Sequence, residues 1–235
     1  MSMAISSDCI LIFVKVPGTS PVKSRLARTV GETHATALYR CFVADWLDRL
    51  RQLPADRLVF YAPAGADVAA WLGPEERYYP QSEGDLGQRM AAAFQIAFRQ
   101  GYRRSLVVGS DSPDLPLDIL QEGFAALEWC HGVLGPTEDG GYYTLGFSVQ
   151  HFTTVVFEQI AWSTSTVLET TLARFAGCDR TVHQLPLWSD IDTLEDLQAY
   201  YQRNHDQDHL RTVQYLQAHP DLLALMSLAA LPGRP

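Results

Sequence analysis

The sequence predicts an α/β protein with a mostly parallel central sheet and helices on both of its faces. Segments with strand character alternate with segments of helical periodicity from the start of the chain, which is the order of a parallel sheet with crossover helices. The first strand segment, 9–14, is continuously apolar and rich in β-branched residues, which is typical of a strand buried on both faces. The sequence contains no internal repeat.

The remaining elements follow in order along the chain. Further strands are predicted at 57–62, 105–109, 133–135, 142–147 and 181–185, with a glycine-rich turn joining the fourth and fifth strands of the chain. Apolar residues at helical spacing predict helices at 32–52, 66–72, 86–100, 117–129 and 194–203, and two more between 150 and 175. We expect these elements to form one domain over 9–203. Residues 204–235 are predicted to form a helical extension that packs on the domain or on a second subunit.

Composition narrows the class of protein. A chain of 235 residues, 47% of them hydrophobic, can bury roughly 70–75% of its unfolded surface and needs neither metal nor disulfide to fold. The formal net charge of -9 argues against nucleic-acid or anionic-membrane partners, which need a positive field. Four cysteines without a CxxC pair suit a reducing compartment. With no basic leader and no apolar run long enough for a bilayer, we expect a soluble, cytoplasmic protein.

Ligands of open α/β sheets bind beyond the carboxyl ends of the strands, and the segment after the first strand is rich in cations. Lys15, Pro17, Lys23 and Arg25 lie in or beside a Pro/Gly/Ser loop that leads into a helical segment. Cations at such a junction can clamp phosphates, whereas the alternative is a solvated basic loop. Neither GxxxxGK[ST] nor GxGxxG is present, so this loop is not one of the common phosphate-binding motifs.

Carboxylates follow the third strand and the last strand. Asp111 comes two residues after a buried strand, where an aspartate is placed to hold Mg²⁺ or Mn²⁺. Capping of the following helix is the alternative, and Asp114 and Asp118 fit that role better. Asp192 could cap the last helix of the domain, but that role leaves Asp190 unexplained. Asp190 could therefore complete a metal site with Asp111.

Two glycine-bearing loops could approach a ligand closely. Asp139 precedes two glycines after the fourth strand, where a plain hairpin turn is the alternative. The loop before the helix at 86–100 could contact a base or ribose, or Asp85 could simply cap that helix. We expect a nucleotide to be bound by Lys15 and Pro17 of the first loop and by residues of these later loops and of the loop after the third strand. The latter are Gln81, Gly84, Asp85, Gly109, Ser110, Gly140 and Gly141.

Six motifs stand in a fixed order. They are K-V-P…V-K-S-R-L at 15–26, G-D-L-G-Q-R-M at 84–90, G-S-D-S-P-D-L-P at 109–116, G-P-T-E-D-G-G-Y-Y at 135–143, W-S-T at 162–164 and D-I-D-T-L-E-D-L at 190–197. Together they resemble a bacterial glycosyltransferase-like family that carries an arsenosugar-biosynthesis label. That family belongs to the nucleotide-diphospho-sugar transferase superfamily, which has the GT-A fold. The resemblance covers nearly all of residues 9–200.

The resemblance implies a single Rossmann-like GT-A domain that uses a divalent metal, Mg²⁺ or Mn²⁺. Asp111 would hold the metal together with Asp190 or Asp192. The basic residues of the first loop, Lys15 among them, would contact phosphates. The residues that we expect to take part in catalysis are Lys23, Arg25, Asp111 and Asp139.

Three functions remain open at this stage. The expected one is glycosyl transfer from a nucleotide sugar to a small-molecule acceptor, with release of a nucleoside diphosphate. The second is nucleotidyl transfer from a nucleoside triphosphate with release of pyrophosphate, as in 2-phospho-lactate guanylyltransferase, because the same fold serves both. The third is a non-catalytic nucleotide-binding partner protein. A homodimer is compatible with each of them.

Overall fold

A computed structural model of the protein describes residues 6–229, and it contains one seven-stranded sheet of order β3-β2-β1-β4-β6-β5-β7. β6 runs antiparallel to β4 and β5, and the other neighbours within the described residues are parallel. The predicted α/β class and the mostly parallel sheet are confirmed. The strands are β1 (Asp8–Lys15), β2 (Asp56–Ala62), β3 (Arg77–Pro80), β4 (Arg104–Val108), β5 (Gly132–Pro136), β6 (Tyr142–Ser148) and β7 (Val182–Gln184).

Helices connect the strands and cover the sheet. They are α1 (Ser24–Val30), α2 (Glu32–Leu50), α3 (Val68–Leu72), α4 (Leu86–Arg99), α5 (Leu117–Ala126), α6 (Val167–Gly177), α7 (Leu194–Asn204), α8 (Arg211–Gln217) and α9 (Pro220–Ala229). Across residues 6–229, no helix has both the length and the apolar character that a membrane span requires.

Three elements differ from the sequence prediction. The edge strand β3 and the short helix α1 were not predicted, since β3 has only four half-exposed or exposed residues and α1 starts inside the basic loop. Of the two helices predicted between 150 and 175, only α6 forms. The first half of that segment contains a single 3-10 turn, Val155–Phe157. Four β-branched residues in succession, 153–156, disfavour a longer helix there.

The sheet separates two apolar cores, and β1 contributes to both. Ile10 and Ile12 pack on one face with Trp46 of α2, whereas Cys9 and Leu11 pack on the other face. All four of these β1 side chains are fully buried. The continuous apolar run of the first strand therefore reflects burial on both sides, as the sequence predicted.

The described part of the predicted extension packs on the domain. Val213 of α8 and Leu222 of α9 share a third core with Leu26, Phe42 and Tyr200 of α1, α2 and α7. Residues 230–235 lie outside the described residues. The division of the chain at residue 203 stays a prediction.

A buried carboxylate of α2 holds the start of α8. Asp45 is 2% exposed and accepts hydrogen bonds from the backbone N–H groups of Arg211 and Thr212, both at 2.9 Å. It also accepts one from the Thr212 hydroxyl at 2.7 Å. The first N–H groups of a helix have no partner inside the helix, and here a side chain from another helix satisfies them.

We therefore expect Asp45→Ala to lower the free energy of unfolding by about 3 kcal/mol, because it leaves buried donors without an acceptor. Asp48→Ala is the control on the same helix. Asp48 is 44% exposed and makes ion pairs with Arg51 and Arg211, so its loss should cost less than about 1 kcal/mol. Urea denaturation followed by circular dichroism measures both values. Equal losses would contradict the role given to Asp45.

Candidate functional site

An open cavity of about 630 Å³ lies at the carboxyl ends of β1 and β4. The loop after β1, the loop after β4 and the segment before α7 meet there, so residues far apart in sequence become neighbours. The predicted site residues that line this cavity are Lys15, Lys23, Arg25, Gln81, Gly109, Ser110, Asp111 and Asp192.

Lys23 connects the three segments through ion pairs. Its Nζ lies 2.6 Å from Oδ1 of Asp111 and 3.0 Å from Oδ1 of Asp192, and its side chain is only 3% exposed. The Lys23 backbone is left-handed, with φ 49°, a conformation that costs energy for a non-glycine residue. Arg25, which is 57% exposed, pairs with Oδ2 of Asp192. The basic segment therefore forms ion pairs with the carboxylates of Asp111 and Asp192 and also lines the cavity.

Burial and charge set the protonation of this cluster. Burial acts to lower the pKa of Lys23, but Asp111 and Asp192 outweigh it, so the pKa of the ammonium is raised. Burial acts to raise the pKa of Asp192, and the charges of Lys23 and Arg25 reverse this, so that pKa is lowered. Asp190 is different, because burial and the Asp192 charge raise its pKa to about 6. Lys23 and Asp192 are thus a charged pair at neutral pH.

Two aromatic side chains of α2 make hydrogen bonds to residues at the ends of β1 and β4, and the sequence analysis assigned no role to either of them. The Tyr39 hydroxyl accepts a hydrogen bond from the Lys15 backbone N–H at 2.9 Å and lies 3.1 Å from the Ser110 hydroxyl. Trp46 donates its indole N–H to the Gly109 carbonyl at 3.1 Å. Burial and the nearby Asp111 raise the pKa of Tyr39 to about 12, so this hydroxyl stays protonated. In sequence, both aromatics belong to an ordinary apolar helix face.

The structure assigns the capping roles differently from the sequence. Thr193, not Asp192, is the N-cap of α7, in a capping box with Asp196, which leaves Asp192 for Lys23 and Arg25. Asp114 was expected to suit capping of α5, and this is wrong. Its buried carboxylate accepts hydrogen bonds from Arg203 Nε at 2.9 Å and from Asn204 Nδ2 at 3.0 Å. Asp114 therefore fastens the loop after β4 to the end of α7.

In the loop before α4, the geometry favours the structural alternative for Asp85. Its carboxylate accepts a hydrogen bond from the Gln88 backbone N–H at 2.8 Å, in a second capping box, and it lines a neighbouring groove rather than the main cavity. Gln81 donates from Nε2 to the carbonyls of Val14 and Phe60, at 3.3 and 3.1 Å. Gln81 therefore sits at the cavity with a fixed orientation.

One further cation lies beside that loop. Arg89 donates from Nε to the Gly84 carbonyl at 2.9 Å and lines the main cavity. The sequence motif at 84–90 contains this residue, but we did not predict a role for it. Pro17, which we expected to contact a ligand, is buried and pairs with Ser20 in a short bridge. It does not line the main cavity and instead shapes the loop.

A smaller cavity of about 150 Å³ adjoins the main one. Asp111 and Gly109 line both cavities, whereas Asp139, Gly141 and Asp190 line only the smaller one. Asp139 Oδ1 accepts hydrogen bonds from the Thr137 hydroxyl at 2.7 Å and from the Gly141 N–H at 3.1 Å. No residue within 6–229 donates to its Oδ2, which leaves this oxygen available to a ligand.

The donor chemistry fits a hard divalent cation. Asp111, Asp190 and Asp192 offer only carboxylate oxygens, which are the ligands that Mg²⁺ and Mn²⁺ prefer. In residues 6–229, however, no three His, Cys, Asp or Glu side chains are arranged as a metal site. The Lys23 ammonium instead lies between two of these carboxylates. The carboxylates thus attract a cation, and in this structure the cation is a lysine.

The sheet order and the cavity at its carboxyl edge define a Rossmann-like nucleotide-diphospho-sugar transferase fold. The family model described as "Uncharacterized protein conserved in bacteria (DUF2064)" matches residues 47–164. A protein from Desulfovibrio desulfuricans G20, assigned to the nucleotide-diphospho-sugar transferases, is 38% identical with a TM-score of 0.89 and covers 94% of this chain and 99% of its own. The chain therefore belongs to the DUF2064 family and to the nucleotide-diphospho-sugar transferases. This confirms the resemblance drawn from its motifs.

More distant structures share the fold. A cytidylyltransferase from Leptospira borgpetersenii has 14% identity and a TM-score of 0.55, with 98% of this chain and 100% of that one covered. A manganese complex of Rv0371c from Mycobacterium tuberculosis H37Rv has 15% identity and a TM-score of 0.51, with 83% and 96% covered. No curated protein matches the sequence. At these identities the two structures establish the architecture only.

Gly140 offers a test of how the Asp139 loop is held. Its φ is +84°, and a Cβ on it would collide with the carbonyl of Ser165. We expect Gly140→Ala to lower the free energy of unfolding by about 2 kcal/mol or more. Gly177→Ala is the control, because nothing lies within 4 Å of its Cβ position. Thermal denaturation compares them, and a neutral Gly140→Ala would show that this turn is not constrained.

Proposed function

We propose that the protein is a metal-dependent transferase that uses a nucleotide-activated donor and binds the donor phosphates in the main cavity. One observation carries this proposal. Lysine occurs at only two positions in the chain, Lys15 and Lys23, and both line the same cavity with Arg25 and Arg89. A cavity that holds both lysines and two arginines of a chain with a net charge of -9 is suited to a small polyanion.

Different residues of the cavity would bind the metal and the phosphates. Asp111, with Asp190 or Asp192, would hold Mg²⁺ or Mn²⁺, and the metal would neutralise charge on the phosphates. Lys15 and Arg25, which are exposed at the cavity, would orient the phosphates. The Tyr39 hydrogen bond to the Lys15 backbone keeps the loop in place before the donor arrives, which lowers the entropic cost of binding.

We propose glycosyl transfer as the reaction. The acceptor hydroxyl attacks the anomeric carbon of the donor, the bond from that carbon to the β-phosphate oxygen breaks, and a nucleoside diphosphate leaves. The hydroxyl proton passes to Oδ2 of Asp139 in the smaller cavity. The relative at 38% identity, assigned to the nucleotide-diphospho-sugar transferases, supports this choice.

Nucleotidyl transfer is the second candidate, and the placement of the cations favours it. Lys15 ends β1, Lys23 lies in the loop after it and Arg25 lies in the first turn of α1, so the three cations flank one loop and could hold a departing pyrophosphate. In that reaction an acceptor oxygen attacks the α-phosphorus of a nucleoside triphosphate, and the bond to the bridging oxygen of pyrophosphate breaks. The metal and the same carboxylates would serve both reactions, so the donor has to be identified by experiment.

A cytoplasmic location and small-molecule partners complete the proposal. The four cysteines are free, and Cys9 and Cys130 are buried, which suits a reducing compartment. The acidic chain favours small substrates over nucleic acid.

A thermal-shift screen identifies the donor. Each nucleotide sugar and each nucleoside triphosphate is added with and without Mg²⁺, and a bound ligand raises the melting temperature by mass action. We expect a metal-dependent rise with nucleotide sugars sharing one base. A rise confined to one triphosphate would instead establish nucleotidyl transfer. A rise without turnover on any acceptor would favour a non-catalytic nucleotide-binding protein.

Asp111→Asn tests the metal role with the donor that the screen identifies. The amide keeps the shape but removes the charge, so we expect turnover to fall at least about 100-fold, equivalent to about 2.7 kcal/mol of transition-state stabilisation. Asp118→Asn is the control, since within residues 6–229 the Asp118 carboxylate accepts a hydrogen bond from the Ile119 N–H alone. Full activity in Asp111→Asn would refute the assignment. Release of nucleoside diphosphate or pyrophosphate provides the readout.

A further inference from the structure

The Lys23 ammonium occupies the position between two carboxylates that the proposed metal site needs. It is 2.6 Å from Asp111 and 3.0 Å from Asp192, and both are ion pairs. A divalent ion bound by the same two Oδ1 atoms would need the space that the ammonium fills. A divalent ion placed there would also meet the positive charge of the ammonium at contact distance, where repulsion is strong.

We propose that Lys23 and the metal ion are alternative occupants of the space between Asp111 and Asp192. The metal therefore binds weakly to the nucleotide-free protein, where it displaces Lys23 only at high concentration. It binds tightly once the donor phosphates have drawn Lys23 away, so at ordinary metal concentrations nucleotide binds before the metal or together with it. This inference rests on the proposed function, because it takes the phosphates to be the group that receives Lys23.

The local structure permits such a movement. Lys23 is the residue before α1, and its side chain makes no capping hydrogen bond to that helix. Its ammonium sits on a flexible four-carbon stem and is a compact point charge, so it can exchange one anionic partner for another. The cavity beside it is also lined by Lys15 and Arg25. Phosphates held by those two cations would offer Lys23 the replacement for its carboxylates.

The order of binding gives Lys23 two separate tasks. Without a donor it pairs its own buried ammonium with the carboxylates of Asp111 and Asp192, and a buried ammonium left unpaired would destabilise the fold. With a donor it neutralises phosphate charge, while the metal takes over the carboxylates. Lys23 therefore controls when the metal can bind and also contacts the phosphates, and only its pairing with the carboxylates is present without nucleotide.

Manganese affinity of the nucleotide-free protein tests the first task. Electron paramagnetic resonance measures free Mn²⁺ during titration of the wild type, Lys23→Met and Arg89→Met. We expect Lys23→Met to bind Mn²⁺ at least about tenfold more tightly than the wild type, because a competing charge is gone. Arg89→Met removes one charge from the same cavity, but Arg89 makes no ion pair with the aspartates, so its affinity should match the wild type. Adding Asp111→Asn to Lys23→Met should abolish the gain.

Lysine reactivity tests the same exchange in the wild type and does not depend on how the variant folds. The chain has only two lysines, so reductive methylation followed by peptide mass spectrometry reports Lys15 and Lys23 separately. Lys15 is exposed and serves as the internal standard. We expect Lys23 to be protected in the protein alone and to react at least about tenfold faster at saturating Mn²⁺ without nucleotide, when the metal displaces it.

Two outcomes would overturn the inference. One is a nucleotide-free wild type that binds Mn²⁺ as tightly as Lys23→Met, and the other is Lys23 that stays protected at saturating Mn²⁺. Both would leave the proposed transferase function standing. If nucleotide sugars and triphosphates fail to raise the melting temperature of the wild type and of Lys23→Met, with metal present, the proposed function itself fails.

Discussion

The ion pairs of Lys23 with Asp111 and Asp192 are the interactions on which the site depends. The three residues follow β1, β4 and β7, and no local rule of the chain brings them together. The parallel pairing of β1 with β4 places the first two at one edge of the sheet. Asp192 lies beside them because the backbone N–H of its neighbour Ile191 donates a hydrogen bond to the Asp111 carbonyl at 2.8 Å. A buried charge must be paired, so once the sheet forms, this cluster fixes the loops around it.

Helix α2 provides the rigid support for that cluster. Tyr39 and Trp46 hold the loops after β1 and β4 by hydrogen bonds to backbone atoms, while their rings are buried in the core. Asp45 on the same helix anchors the start of α8. The C-terminal helices and the site loops are therefore fastened to one element. A displacement of α2 would loosen both, so residues without any catalytic role still determine how well the site is preorganised.

Much of the fold and part of the site could be predicted from the sequence. What could be predicted depends on local patterns, and what could not depends on contacts between distant parts of the chain. The apolar run of β1 and the position of Asp111 after β4 follow from local pattern and from the general location of sites in parallel sheets. The partners of Asp114 could not be predicted, because Arg203 and Asn204 are about ninety residues away in sequence. Lys23 was expected to contact phosphates, and its ion pairs with aspartates depend on tertiary contacts that periodicity does not encode.

The charge balance of the molecule explains why the carboxylates of the site have a cation beside them. The chain carries a net charge of -9, and Asp111, Asp190 and Asp192 add a local concentration of negative charge at the cavity where anionic phosphates would bind. Without compensation this cluster would repel the donor and strain the fold. Burial, and after it the charge of Asp192, raise the pKa of Asp190 to about 6 even with Lys23 nearby. A lysine that neutralises two carboxylates lets the acidic site fold, and under the proposed exchange it would leave the site able to accept a metal when phosphates supply the compensating charge.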